Sequence, residues 1–119
     1  MSGSPSDCLT ALEALSPVDG RYRAATEPLR ALLSEAGLIR ERIRIEAQWL
    51  LHLTAAVPQL AGATLSPVVS ERAQQLAETP DAAAPAAVKS IEARINHDVK
   101  AVEYYVREPP AAGWHRRGY

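Results

Sequence analysis

Leu38-Ile39-Arg40-Glu41-Arg42-Ile43-Arg44-Ile45-Glu46-Ala47-Gln48-Trp49-Leu50-Leu51-His52-Leu53-Thr54-Ala55-Ala56 is the stretch that decides the fold. Ile39, Ile43, Ala47 and Leu50 recur at three- and four-residue spacing and form one stripe of a helix of about five turns. Leu38, Ile45, Trp49 and Leu53 widen that stripe, so the helix has apolar partners on more than one side. Arg40, Arg42 and Arg44 alternate with Glu41 and Glu46. They read as a solvated or ion-paired face, or one that meets another subunit, and no catalytic role is assigned to them.

Outward from this helix the chain keeps the helical period. Thr26 and Pro28 read as the cap and first turn of a short amphipathic helix through Leu29, Leu32 and Leu33 that ends around Gly37. Val57 to Leu65, with Pro58 and Gly62, reads as a loop. Ser66-Pro67 then supplies an N-cap and a first-position proline for a helix ending near Glu78. Thr79-Pro80-Asp81 is a break. From about Asp81 another helix carries Val88, Ile91 and Ile95, with Pro85 tolerable only in its first turn. The same spacing continues through Val99, Val102 and Val106, and capping chemistry at Asn96 predicts a break or kink between two segments. β-branched residues never alternate over a strand length, phenylalanine is absent and alanine is abundant. The expected fold is all-α, a small helical domain of about four to five helices.

At 119 residues the chain fits one domain, with residues 1–8 a disordered N-terminus, 9–108 the folded part and 109–119 an irregular basic and aromatic tail. Thirteen basic and fourteen acidic residues leave a net charge of -1, which favours neither nucleic acid nor membrane as a partner. Cys8 is the only cysteine, excluding an internal disulfide and a cysteine-based zinc site and fitting a reducing compartment. There is no run of about 18 apolar residues for a span, and Met1 to Thr10 lacks the pattern of a secretory signal, so a cytoplasmic location is expected. No nucleotide-binding glycine loop is present.

Two short segments carry the candidate chemistry. Ser16-Pro17-Val18-Asp19-Gly20 is turn chemistry, with Pro17 fixing φ and Gly20 permitting a positive one, so Arg21 and Tyr22 follow on a defined bend. In Asn96-His97-Asp98, Asn96 is a good N-cap and Asp98 suits the positive end of the helix dipole. His97 lies in the same first turn, where N–H groups can also seat an anionic ligand and an imidazole can donate to a carboxylate. Two readings stay open for the triplet: a helix start alone, or a helix start that also forms a site.

Taken together, Leu15-Ser16-Pro17-Val18-Asp19-Gly20-Arg21-Tyr22 and Asn96-His97-Asp98-Val99-Lys100-Ala101-Val102-Glu103-Tyr104 resemble the amino-terminal domain of the adenylosuccinate lyase family. Leu29 to Glu35, Gly37 to Arg40, Glu46 to Leu50 and Lys89 to Glu92 resemble that family in order and spacing. The resemblance runs from Leu9 to Glu108. It implies the fumarase/aspartase superfamily, whose members are homotetramers with a small helical first domain, and a carbon–nitrogen lyase that releases fumarate from adenylosuccinate and from a succinylated purine precursor without a cofactor. It further implies that Arg21 and Tyr22 bind the nucleotide and that Asn96, His97 and Asp98 line the substrate. The serine and histidine that serve as base and acid in the family have no counterpart here, so no catalytic residue is assigned. Arg94 and Ile95 depart from the family pattern, which has small hydroxyl residues before the asparagine. The alternative from another class is a non-enzymatic helical module that docks onto a full-length lyase or another partner.

Overall fold

Ser66 and Pro67 start a helix as their chemistry requires. In the computed structural model, which describes residues 10–57, 59 and 65–107, the Ser66 hydroxyl accepts the Val69 N–H at 3.3 Å, and the missing N–H of Pro67 falls where a helix leaves donors unpaired. The expectations for residues 1–8, Cys8, the interior of the 57–65 loop and residues 109–119 lie outside the described residues. In chain order the helices are α1 (Arg23–Thr26), α2 (Arg30–Leu33), α3 (Glu35–Ala56), α4 (Pro67–Glu78), α5 (Ala84–Ile95) and α6 (Asp98–Arg107), with 3-10 turns at Pro17–Asp19 and Glu27–Leu29. The fold is all-α as the period predicts, with four helices of ten residues or more and no strand among the described residues. No helix among them is long and apolar enough to cross a membrane.

The chain divides into two compact units, with the boundary between Gly37 and Leu38. In the first, short turns follow one another in place of the continuous helix expected from Thr26. Thr26 occupies the N-cap position, with Pro28 in the first turn, but of the 3-10 turn Glu27–Leu29, and its side chain makes no capping bond: its hydroxyl lies 3.1 Å from the Tyr22 carbonyl and 3.2 Å from that of Arg23, donating back along α1. The helix ends at Ser34 and not at Gly37. Ser34 leaves α2 in an extended conformation, and its hydroxyl accepts the Gly37 N–H at 3.1 Å, so a capping serine restarts the helix three residues before the glycine.

Gly37 therefore sits inside the first turn of α3, where its lack of a side chain has another use. A Cβ there would lie 2.6 Å from the Ala31 carbonyl oxygen and 2.7 Å from that of Leu32. The glycine is a contact point between turns of backbone, not a terminator.

The second unit holds the core. Ile39, Ile43 and Ala47 of α3 pack with Leu76 and Ala77 of α4, Ala84, Val88 and Ile91 of α5, and Ala101 and Val102 of α6, with Leu51, Tyr105 and Val106 against them. The expected α3 stripe is thus the buried one, and Leu50 lies at its half-buried margin. A fully buried Ile, Leu or Val contributes about 1.5–3 kcal/mol relative to exposure, and Ile39, Ile43, Leu76, Val88 and Val102 are the largest of these. Alanine supplies five of the eleven buried apolar residues among those described, which lets the helix backbones approach closely. Of the residues that widened the stripe, Leu38, Ile45 and Trp49 remain exposed at 44%, 56% and 55%, whereas Leu53 is half-buried. Trp49 lies stacked on His52 with ring centroids 5.7 Å apart.

Candidate functional site

In the first unit, the Pro17–Asp19 turn is closed by the Gly20 N–H donating to the Pro17 carbonyl at 3.2 Å, and that carbonyl also accepts the Tyr22 N–H at 3.0 Å. The expected positive φ at Gly20 is not found. Its φ is -113°, and glycine is needed there because a Cβ would meet the Ala11 carbonyl oxygen at 2.6 Å. Arg23 ties the bend from below, its Nε donating to the Asp19 carbonyl at 3.0 Å and its guanidinium lying 3.4 Å from the Asp19 carboxylate. Arg21 and Tyr22 leave this braced turn together at the surface. The Arg21 Cζ stands 4.7 Å from the centroid of the Tyr22 ring, a cation–π pair that holds the guanidinium against a phenol. Chemically the pair offers a fork of donors for a phosphate and a ring edge and hydroxyl for a base or sugar.

In the second unit, α5 and α6 pack on each other across a two-residue corner. Asn96 has φ 54° and ψ 40°, the only positive φ at a non-glycine among the described residues. Its N–H donates to the Glu92 carbonyl at 2.7 Å, so it closes α5. Asparagine is among the few residues with a side chain that enter the left-handed region readily. The expectation that Asn96 caps the following helix is overturned by this geometry. His97 is the cap: its Nδ1 accepts the Lys100 N–H at 3.1 Å, and its carbonyl accepts the Ala101 N–H at 3.1 Å.

Asp98 opens α6, as the dipole argument requires, and its carboxylate has a partner that spacing along the chain did not reveal. The Arg42 Nη1 of α3 donates to Asp98 Oδ2 at 3.1 Å across 56 positions of sequence. Arg42 was expected to pair with Glu41 or Glu46 or to face another subunit, but it is Arg44 that takes the Glu41 carboxylate. Arg42 is thus a site-supporting residue missed at the sequence level. A hint was available, since three arginines face only two nearby glutamates.

The Val99 backbone N–H first, and the Arg42 guanidinium after it, hold the Asp98 carboxyl below its ordinary value against some loss of hydration. Glu103 is lowered in the same direction, chiefly by the Lys100 ammonium that donates to it at 2.7 Å, with Arg107 adding to it. A carboxyl whose folded value lies below its unfolded value stabilises the fold above the unfolded value and loses that contribution as pH falls through the folded one. Urea midpoints are therefore expected to fall on acidification from neutral pH toward about pH 3. Asp98→Asn should show a shallower acid fall than the unaltered chain, and an equal or steeper one would contradict the Asp98 contribution.

The five residues singled out by sequence fall into two braced pieces: Arg21 and Tyr22 on the bend, and Asn96, His97 and Asp98 on the corner. Within the second piece the triplet has divided labour. Asn96 turns the chain, His97 caps α6, and Asp98 anchors it to α3. No group of three or more His, Cys, Asp or Glu residues suited to a metal ion occurs among the described residues.

No family model matches the sequence. Among curated proteins, the Vibrio cholerae adenylosuccinate lyase is 40% identical over 104 residues, which cover 87% of this chain and 23% of that protein. The Haemophilus influenzae enzyme of that name is 39% identical over 100 residues, 84% of this chain and 22% of its own length. The resemblance is to adenylosuccinate lyases. The Escherichia coli K12 adenylosuccinate lyase agrees, at 39% over 111 residues. The chain spans less than a quarter of the length of these lyases, at 22–23%, and the coverage fits an amino-terminal portion. Arg94 and Ile95, expected from the resemblance to depart from the family pattern, occupy the last turn of α5 and are exposed, one step before the corner.

Proposed function

We propose that this chain carries one part of the substrate site of an adenylosuccinate lyase and lacks the groups that break the carbon–nitrogen bond. The observation that supports this reading most is similarity to enzymes of that name across 84–87% of the chain but 22–23% of theirs. In this reading Arg21 and Tyr22 hold the nucleotide end through phosphate pairing and ring contact. His97 holds or polarises the succinyl end, and Asp98 orients the corner through Arg42. The whole enzyme would eliminate fumarate by general acid–base catalysis, with a base taking the proton beside a carboxylate and an acid protonating the departing nitrogen. Neither group is assigned here. A nucleotide substrate, a homotetramer and a cytoplasmic location belong to the same proposal, which calls for no cofactor.

Incubating the purified chain with adenylosuccinate and following fumarate tests the incompleteness. The expected result is no turnover above background. Sustained turnover that vanishes in His97→Ala would overturn it.

A second reading draws on Leu38, Ile45 and Trp49, large apolar side chains left exposed along α3. It makes the chain a helical module that docks on a full-length lyase through that face. Co-elution with the full-length enzyme in size-exclusion chromatography would favour it, whereas a chain that stays monomeric and never co-elutes argues against it.

A further inference from the structure

Asp19-Gly20 is the one Asp-Gly step in the sequence. Such a pair is where a main chain attacks its own side chain most readily, because no Cβ on the following residue shields its nitrogen. The Gly20 nitrogen bonds to the Asp19 side-chain carboxyl carbon, the carboxyl hydroxyl and the amide proton leave as water, and a five-membered cyclic imide results. Water then reopens the ring. Opening at the side-chain carbonyl restores aspartate, whereas opening at the main-chain carbonyl leaves isoaspartate, in which the chain runs through Cβ. Apart from water the reaction needs no co-reactant.

The fold cannot discard this pair. A Cβ at position 20 would stand 2.6 Å from the Ala11 carbonyl oxygen, so space keeps a glycine there. The bend restrains the reaction instead. Asp19 ends the Pro17–Asp19 3-10 turn, and ring closure requires a ψ far outside the helical range. The Gly20 N–H is engaged by the Pro17 carbonyl at 3.2 Å. Arg23 draws the Asp19 carboxylate aside at 3.4 Å and donates from Nε to the Asp19 carbonyl at 3.0 Å. The Thr26 hydroxyl reaches the Val18 carbonyl at 3.3 Å.

These restraints are local and lie at the surface. From Thr10 to Ala36 no residue is buried, and Leu12 and Leu15 are exposed at 94% and 98%. The apolar core belongs to the second unit. A segment with few buried contacts and exposed hydrogen bonds opens at a lower free energy than the domain as a whole. Opening the bend frees the Gly20 nitrogen and the Asp19 ψ together, with the core intact.

We propose that Asp19 is a site of spontaneous isoaspartate formation, gated by local opening of the bend and not by unfolding of the second unit. The product lengthens the main chain by one atom two residues before Arg21. It would pull the Tyr22 N–H off the Pro17 carbonyl and displace the Arg21–Tyr22 pair that the bend carries.

Ageing the full chain at neutral pH and body temperature, with isoaspartate located by peptide mapping and electron-transfer fragmentation, tests the site and its gate. Product is expected at Asp19 ahead of Asp81 and Asp98, whose following residues Ala82 and Val99 carry side chains, and more slowly than in the chain unfolded in concentrated urea. Arg23→Ala should speed it about two- to tenfold, the worth of one exposed ion pair and one hydrogen bond. Thr26→Val, which removes the hydroxyl facing Val18, should act in the same direction. Urea well below the unfolding midpoint should leave the rate nearly unchanged, since a local opening exposes little surface. A rate that climbs with urea in step with global unfolding would overturn the local gate, and equal rates in the folded and unfolded chains would overturn the restraint by the bend. No product in the folded chain or in either variant, over the time in which the unfolded chain converts, would remove the site altogether.

Discussion

Ile43→Ala is expected to lower the free energy of unfolding by about 2–5 kcal/mol, the range for deleting a buried isoleucine to alanine. Ile43 has no exposed surface and lies in the cluster to which α3, α4, α5 and α6 all contribute. Its removal leaves a cavity that four helices would have to move to close. Against a typical domain stability of about 5–15 kcal/mol, such a loss is large. Urea denaturation followed by helical circular dichroism measures it. Ile45→Ala is the control, since Ile45 lies two residues along the same helix but is 56% exposed. Its effect should stay within about 0.5 kcal/mol, and equal losses at the two positions would contradict the placement of the core face.

Gly37→Ala should also destabilise, although helix propensity alone argues the reverse. Alanine inside a helix is favoured over glycine by about 0.8–1.0 kcal/mol. At Gly37, however, the added methyl would stand 2.6 Å from one backbone oxygen and 2.7 Å from another, and backbone cannot swing aside as a flexible side chain can. Overpacking of this kind costs about 1–3 kcal/mol, so the clash should win and the urea midpoint should fall. A rise in the midpoint would show that the Ser34 corner relaxes freely. Ala36→Gly, one position away, gives the comparison in which propensity alone operates.

What could be read from sequence, and what could not, divides along a physical line. The limits of α4 follow from Ser66, Pro67 and the Thr79-Pro80 break because each acts through its own backbone within a turn or so. Pro85 lies in the first turn of α5 for the same local reason. The buried stripe Ile39, Ile43 and Ala47 was legible because burial follows the 3.6-residue period. Gly37 was misread because glycine has two uses, ending helices and admitting close neighbours, and only the position of the Ala31 and Leu32 carbonyls tells them apart.

The candidate site shows the same division. The break at Asn96 was legible, but the allocation of roles within the triplet was not. Asparagine suits both an N-cap and a left-handed residue, and the choice between them rests on the two-residue length of the corner. The Arg42–Asp98 pair depends on a contact between residues 56 positions apart, for which the local charge pattern of α3 offers no address. Arg21 and Tyr22 were placed correctly on a bend, while the reason for Gly20 proved to be the nearness of Ala11 and not a positive φ.

The alanines of the core give this small domain an uneven tolerance to sequence drift. Ile39, Ile43, Leu76, Val88 and Val102 fail by losing atoms, whereas Ala47, Ala73, Ala77, Ala84 and Ala101 fail by gaining them. A single mutation at an alanine cannot be offset by shrinking that residue further, and it needs a larger neighbour to shrink at the same time. Lineages would therefore cross such positions in coupled pairs, so that the helix spacing behind the corner is kept by restriction on growth as much as by the few bulky residues that fill it.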